Sequence, residues 1–179
     1  MTILKKASGV SGFLAGAVTV AVGALAIGLS TSNTEARPAT GEHDNKAIVK
    51  KAFDAWSAGT GSPYDLLRED ARWTIVGHSA ASRTYPDRES FLREVIRPFN
   101  TRMQAPLKPV VRGLFADGDT VIILFDASGI ARDGVTYSNT YSWYLNMEDG
   151  RIASATAFYD SIAFNELWTR VEPAQATAN

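Results

Sequence analysis

Apolar and polar positions recur in two rhythms along this chain, after an opening stretch that follows neither. Val49, Ala52, Phe53 and Trp56 are spaced by three and four residues, which puts them on one face of a helix. Lys46, Lys50, Lys51 and Asp54 take the opposite face. Asp44 or Asn45 is the expected N-cap, and Gly59-Thr60-Gly61 the stop. Ser62-Pro63 opens a short helical turn through Tyr64, Leu66 and Leu67. A strand is expected over 71–76, with a short return strand near 83–85. Asp87 caps a second, longer helix that carries Phe91, Leu92, Val95, Ile96 and Phe99, and Pro98 is expected to end or kink it near Arg97. The rhythm then changes to period two. Four strands are expected over 107–115, 120–127, 136–147 and 151–159. Asp117-Gly118, Asp133-Gly134 and Asp149-Gly150 punctuate them, dipeptides suited to tight hairpins. Asp160 caps a last helix with Phe164, Leu167, Trp168 and Val171 on one face. Helices followed by a hairpin-linked meander predict an α+β fold built on an antiparallel sheet.

The first 36 residues read differently. Lys5 and Lys6 precede a charge-free run from Phe13 to Leu29, and small polar residues lead to Ala36. This is the order of a secretory signal peptide. As a helix the run would span about 26 Å, slightly short of a bilayer core, so a membrane anchor is the rival reading. Cleavage implies an exported protein, periplasmic or secreted; an intact segment implies membrane anchoring. Residues 37–44 read as a linker, 45–172 as one folded domain and 173–179 as a flexible tail.

Composition narrows the chemistry. Among 179 residues there is no cysteine, which excludes disulfides, thiolate metal sites and a cysteine nucleophile. His43 and His78 are the only histidines, so a His-rich metal centre is excluded, and no metal or other cofactor is expected. The net charge is −1, and −2 once Lys5, Lys6 and Glu35 are set aside, which gives no basic excess for nucleic acid. Every aromatic residue except Phe13 falls in the domain.

Residues 137–164, YSNTYSWYLNMEDGRIASATAFYDSIAF, carry an aromatic strand, an Asp-Gly-Arg-Ile turn and a Tyr-Asp step into the last helix. With the order of elements over about 45–171, they resemble the SnoaL-like branch of the nuclear transport factor 2-like superfamily. The resemblance implies a cone-shaped curved antiparallel sheet wrapped around a long helix, open at one end over a hydrophobic pocket. It also implies a homodimer paired through the outer sheet face. The superfamily hosts ketosteroid isomerases, polyketide cyclases, epoxide hydrolases, dehydratases and plain binding modules, so the fold alone does not choose a reaction. Phe53, Ile75 and Trp143 stand where the isomerases carry Tyr, Asp and Asp. Leu124 and Ala157 stand where the epoxide hydrolases carry Arg and a second Asp.

Period two puts Tyr137, Asn139, Tyr141, Trp143 and Leu145 on one strand face. Phe53, Trp56, Trp73, Asn139, Tyr141, Trp143 and Tyr159 are the expected wall of a pocket for a small apolar or aromatic molecule, with Asn139 and Tyr141 as hydrogen-bonding members. The small Ala155 and Ala157 beside Tyr159 would leave it room. A closed aromatic core is the alternative. Asp126, in the run VIILFDASG, is the candidate general base: pointing inward, its burial would favour the protonated form and raise its pKa. His78, just past a strand near the expected mouth, is the second catalytic candidate. The alternatives are a water-facing Asp126 and a plain loop residue at His78. Gly77-His78-Ser79 imitates a hydrolase nucleophile elbow, but no histidine follows Ser79 to complete a triad. Two functions stay open: cofactor-free acid/base isomerisation, cyclisation or dehydration, and a non-enzymatic binding or dimerisation module.

Overall fold

The computed structural model describes residues 40–174. The expected leader (1–36), the first residues of the expected linker and the end of the tail lie outside the described residues. Among the described residues no helix is long and apolar enough to cross a membrane.

Helix α1 (Thr40–Ala58) is followed by a one-turn 3-10 helix (Pro63–Leu66), strand β1 (Leu67–Ile75) and the two-residue β2 (Thr84–Tyr85). A helical run then passes from α2 (Arg88–Phe91) through a π turn (Leu92–Ile96) into α3 (Arg97–Asn100). Strands β3 (Met103–Asp117), β4 (Thr120–Ala131), β5 (Thr136–Glu148) and β6 (Arg151–Tyr159) precede α4 (Ser161–Arg170). The six strands form one sheet in the order β2-β1-β6-β5-β4-β3. The meander β3–β6 is antiparallel, but β1 runs parallel to β6, so the sheet is mixed rather than wholly antiparallel. A hairpin pattern reports only pairings between neighbours in sequence, and the β1–β6 pairing joins strands some 80 residues apart, which local signals do not encode.

Other boundaries also depart from the reading of the sequence: β1 starts at Leu67 rather than 71, and β4 runs to Ala131 rather than 127. Helix α1 starts at Thr40, so residues 40–44 are helical and not linker. Those first turns are polar, and apolar periodicity begins only at Ile48 and Val49. Strand β3 begins at Met103, ahead of the expected 107, because Pro106 and Pro109 sit on an edge strand, where a missing N–H leaves no ladder bond unmade. Pro98 does not end the second long helix. The Arg97 N–H donates to Leu92 C=O, widening the turn ahead of the proline, and the helix continues to Asn100.

Bulges shape the sheet. The β3–β4 register shifts three times, and β1–β6 and β5–β6 shift once each. Each bulge bends its strand and increases its twist, so the sheet curves. Gly129 permits one close approach: a Cβ there would lie 2.8 Å from the Ala105 carbonyl oxygen on the bulged edge. Helices α1, α2 and α4 pack against β3–β4, β1 and β5 respectively. The concave face carries Trp73, Ile75, Val121, Ile123, Phe125, Trp143 and Leu145, all buried. Burial alternates along β5 as period two predicts, with Tyr137, Asn139, Tyr141, Trp143 and Leu145 inside. The Asp149-Gly150 turn has φ of 50° and 73°, the positive pair that a two-residue hairpin requires. Asp160 caps α4, its carboxylate accepting from the Ile162 N–H at 2.8 Å.

Candidate functional site

The concave face and the helices over it do not close completely. Between them lies a cavity of about 530 Å³. Its floor is sheet: Trp73 and Ile75 from β1, Tyr141 and Trp143 from β5, Ala157 and Tyr159 from β6. Ile75, Ala157 and Trp143 are paired neighbours across three strands. Alanine between two larger side chains leaves the floor hollow. The roof is one face of the helical run, where Arg88, Phe91, Leu92, Val95, Ile96 and Phe99 follow helical spacing. Trp56 of α1 and Tyr64 and Asp65 of the 3-10 turn complete one end.

The walls are aromatic and held rigidly. Trp143 lies edge-on to Phe125 and Trp73, with ring centroids 4.9 and 5.0 Å away, and Trp73 stacks on Phe91 at 4.4 Å. Such contacts fix ring orientation beyond what burial alone supplies.

Besides Asp65, Arg88, Asn100 and Gln104, the polar groups of the site are hydroxyls. Tyr137 and Tyr141 share a hydrogen bond of 2.9 Å between their hydroxyls. Tyr159 shares one of 2.8 Å with Ser79, which in turn shares one of 2.9 Å with Ser82. Burial pushes Tyr64, Tyr137, Tyr141 and Tyr159 above the ordinary phenol range, and the mutual proximity of these rings adds to the rise at Tyr64 and Tyr141. All four therefore remain protonated at physiological pH. A neutral phenol can donate a hydrogen bond to a carbonyl or phenolic oxygen without carrying a charge into the cavity. The Asp65 carboxylate accepts from the Ser62 N–H at 3.2 Å within a capping box.

Of the residues expected at the pocket, Trp56, Trp73, Tyr141, Trp143 and Tyr159 line the cavity. Phe53 does not. It is 1% exposed and packs behind the wall, edge-on to Phe125 and Trp143. Asn139 faces inward but is consumed by structure. Its Nδ2 donates to the Tyr137 hydroxyl and to the Asp160 carbonyl, both at 3.0 Å, and its Oδ1 accepts from the Asp160 N–H at 2.9 Å. It ties β5 to the start of α4.

Neither expected catalytic residue reaches the cavity. Val121, Ile123, Phe125 and Ala127 face inward, so strand alternation turns Asp126 to the outer face. There it accepts from the Thr140 hydroxyl at 2.7 Å and lies 3.6 Å from Arg112, with 47% of its side chain exposed. The run VIILF is apolar on both faces, which concealed the alternation. His78 is exposed on the loop after β1, where Gly77 turns the chain at φ +108°. The loop is docked on α4 by Asn165, which accepts from the Ala80 N–H at 2.8 Å and donates to the His78 carbonyl at 3.4 Å. The residues buried from this loop are Ser79 and Ala81.

The sequence reading missed the roof and Tyr64 as site residues. Phe91, Leu92, Val95, Ile96 and Phe99 were legible as an apolar helix face, but a face that lines a cavity has the same pattern as one that fills a core.

Comparison with known proteins bears on this arrangement. No curated protein matches the chain. Among solved structures, Bal32a from a soil-derived mobile gene cassette is 19% identical, with a TM-score of 0.59 over 72% of this chain and 98% of its own. PrhC from Penicillium brasilianum is 16% identical, with a TM-score of 0.60 over 73% and 89%. TerC, co-crystallised with polyporic acid, is 16% identical, with a TM-score of 0.56 over 70% and 98%. At such identities these likenesses establish the fold. The SnoaL-like domain matches residues 49–155, more than half of the chain and most of the sheet just described. The chain belongs to the SnoaL-like domain family.

Proposed function

We propose that this protein binds a small, flat, apolar or aromatic molecule in the cavity and hydrogen-bonds one of its oxygens through neutral tyrosine hydroxyls. The observation that carries the reading is an open cavity walled by Trp56, Trp73 and Trp143, with Tyr64, Tyr141 and Tyr159 as its hydroxyl donors. The co-crystal of TerC with polyporic acid is in keeping with small-molecule binding by this fold. Acid/base turnover through Asp126 and His78 loses its geometric basis, since both stand outside. A cyclisation or isomerisation step on such a ligand would draw on the tyrosines, which can polarise a carbonyl as enolate character develops.

The test is titration of the full chain with N-phenyl-1-naphthylamine, a neutral fluorescent aromatic. Saturable one-site binding is expected. Ala157→Leu extends a side chain into the hollow floor and should weaken binding at least tenfold, about 1.4 kcal/mol, with an unchanged far-ultraviolet circular dichroism spectrum. Asp126→Asn and His78→Ala should bind as the wild type does. Binding indifferent to Ala157→Leu would remove the cavity from the proposal.

Export and self-association belong to the same proposal. The leader pattern supports export, and the outer sheet face supports pairing through exposed apolar side chains such as Tyr144 and Phe158, 40% and 43% exposed. N-terminal sequencing that finds Met1 intact would sink cleavage, and light scattering that finds a monomer at micromolar concentration would sink pairing.

A further inference from the structure

The cavity is lined mainly by apolar and aromatic residues, with Asp65, Asn100 and Gln104 among its polar members, and Arg88 is the one cationic residue in its wall. Its Nε is buried and has no hydrogen-bond partner. Among the described residues no carboxylate forms an ion pair with it, and every carboxylate near it in the chain or across the cavity is engaged elsewhere. Asp87 caps its own helix, accepting from the Ser90 N–H at 2.7 Å. Glu89 is held by both Arg97 nitrogens, at 2.6 and 2.9 Å. Glu94 is shared by Arg83 and Arg93. Asp65, on the cavity wall with Arg88, serves the capping box.

Arg102 is a useful contrast. Its Nε is also buried without a partner. Its guanidinium, however, lies 3.9 Å over the Trp168 ring and donates to the Pro98 carbonyl at 2.9 Å. That arginine is explained by structure. Arg88 is not, and it stands on the first residue of its helix, where the helix dipole disfavours a cation. A partly buried cation left unpaired costs stability unless an anion arrives to pair with it.

We infer that Arg88 is the anchor for an anionic substituent, so that the cavity takes an aromatic acid, a carboxylate or sulfonate on a flat apolar frame, rather than a neutral hydrocarbon-like molecule. This rests on the cavity-binding reading and sharpens it. The guanidinium presents a planar fork of donors that matches a carboxylate or sulfonate. The position also orients the ligand. Phe99, eleven residues further along the same helical run, contacts Tyr137, which shares its hydroxyl bond with Tyr141. The acid group would thus sit at the Arg88 end and a carbonyl or hydroxyl of the ligand at the tyrosine end.

The test compares two probes that differ mainly in charge: 8-anilinonaphthalene-1-sulfonate and neutral N-phenyl-1-naphthylamine, each titrated into the full chain. The sulfonate is expected to bind at least tenfold more tightly, with a preference that shrinks as salt rises. Arg88→Gln should lower sulfonate affinity at least tenfold and leave the neutral probe within twofold. Arg88→Lys, which keeps the charge, should retain most of the preference. If Arg88→Gln costs the sulfonate less than threefold, or weakens both probes equally, the anchor role is overturned while cavity binding stands. If neither probe binds the wild type, both readings fall.

Discussion

Trp143→Ala is expected to destabilise the protein by about 3–5 kcal/mol, the range for deleting a large buried aromatic side chain. Trp143 is 4% exposed, and its ring lies within 6.4 Å of those of Phe53, Trp56, Tyr64, Trp73, Phe125 and Tyr141. It thus joins α1, the 3-10 turn, β1, β4 and β5 at one point. Truncation would merge its own volume with the adjoining cavity, and rings held edge-on at fixed distances cannot collapse into the gap without giving up contacts elsewhere. Urea denaturation of wild type and variant, followed by circular dichroism, measures the change. A difference below about 1 kcal/mol would mean that the ring cluster is looser than its geometry implies.

Alkaline pH is expected to unfold the protein sharply. Burial holds Tyr64, Tyr141 and Tyr159 far above the ordinary phenol range. In the unfolded chain the same groups lose their protons near pH 10. Above that pH the folded state binds more protons than the unfolded one, so the stability these tyrosines contribute is present below pH 10 and lost as pH rises towards their folded values. Each lagging tyrosine removes about 1.4 kcal/mol per pH unit, and three together about 4. Against a total of roughly 5–15 kcal/mol, unfolding should fall within about one to four pH units above 10. Phenolate absorbance and far-ultraviolet ellipticity, recorded together, should change in one transition. Gradual ionisation of these tyrosines at full native ellipticity would mean that their hydroxyls are solvated.

How much of this was legible before folding depends on how local each feature is. The order of helices, the hairpins at Asp117-Gly118, Asp133-Gly134 and Asp149-Gly150, the Asp160 cap and the inward face of β5 all depend on neighbours a few residues apart. The site was legible in part for the same reason. Trp73, Tyr141, Trp143 and Tyr159 could be placed on inward strand faces, and they line the cavity. Asp126 could not, because both faces of its strand are apolar and period two has no contrast to read there. Asn139 was placed on the correct face, but its partner Asp160 is 21 residues away, so the sequence could not say that its amide is spent on the turn into α4. Pro98 carried a local expectation of an end or a kink; the π turn ahead of it lets the helix run on to Asn100.

The sequence by itself determined the elements, the inward pattern of aromatics and the absence of thiol chemistry, because periodicity, turn chemistry and composition act over short range. Only the tertiary structure decided that β1 joins β6 in parallel, that an alanine floor leaves a hollow under the helical run, and that Asp126 and His78 stand outside while Tyr64 and Arg88 stand inside. Those outcomes follow from which long-range surfaces meet. A cavity is the space that packing fails to fill, and no single stretch of chain contains it.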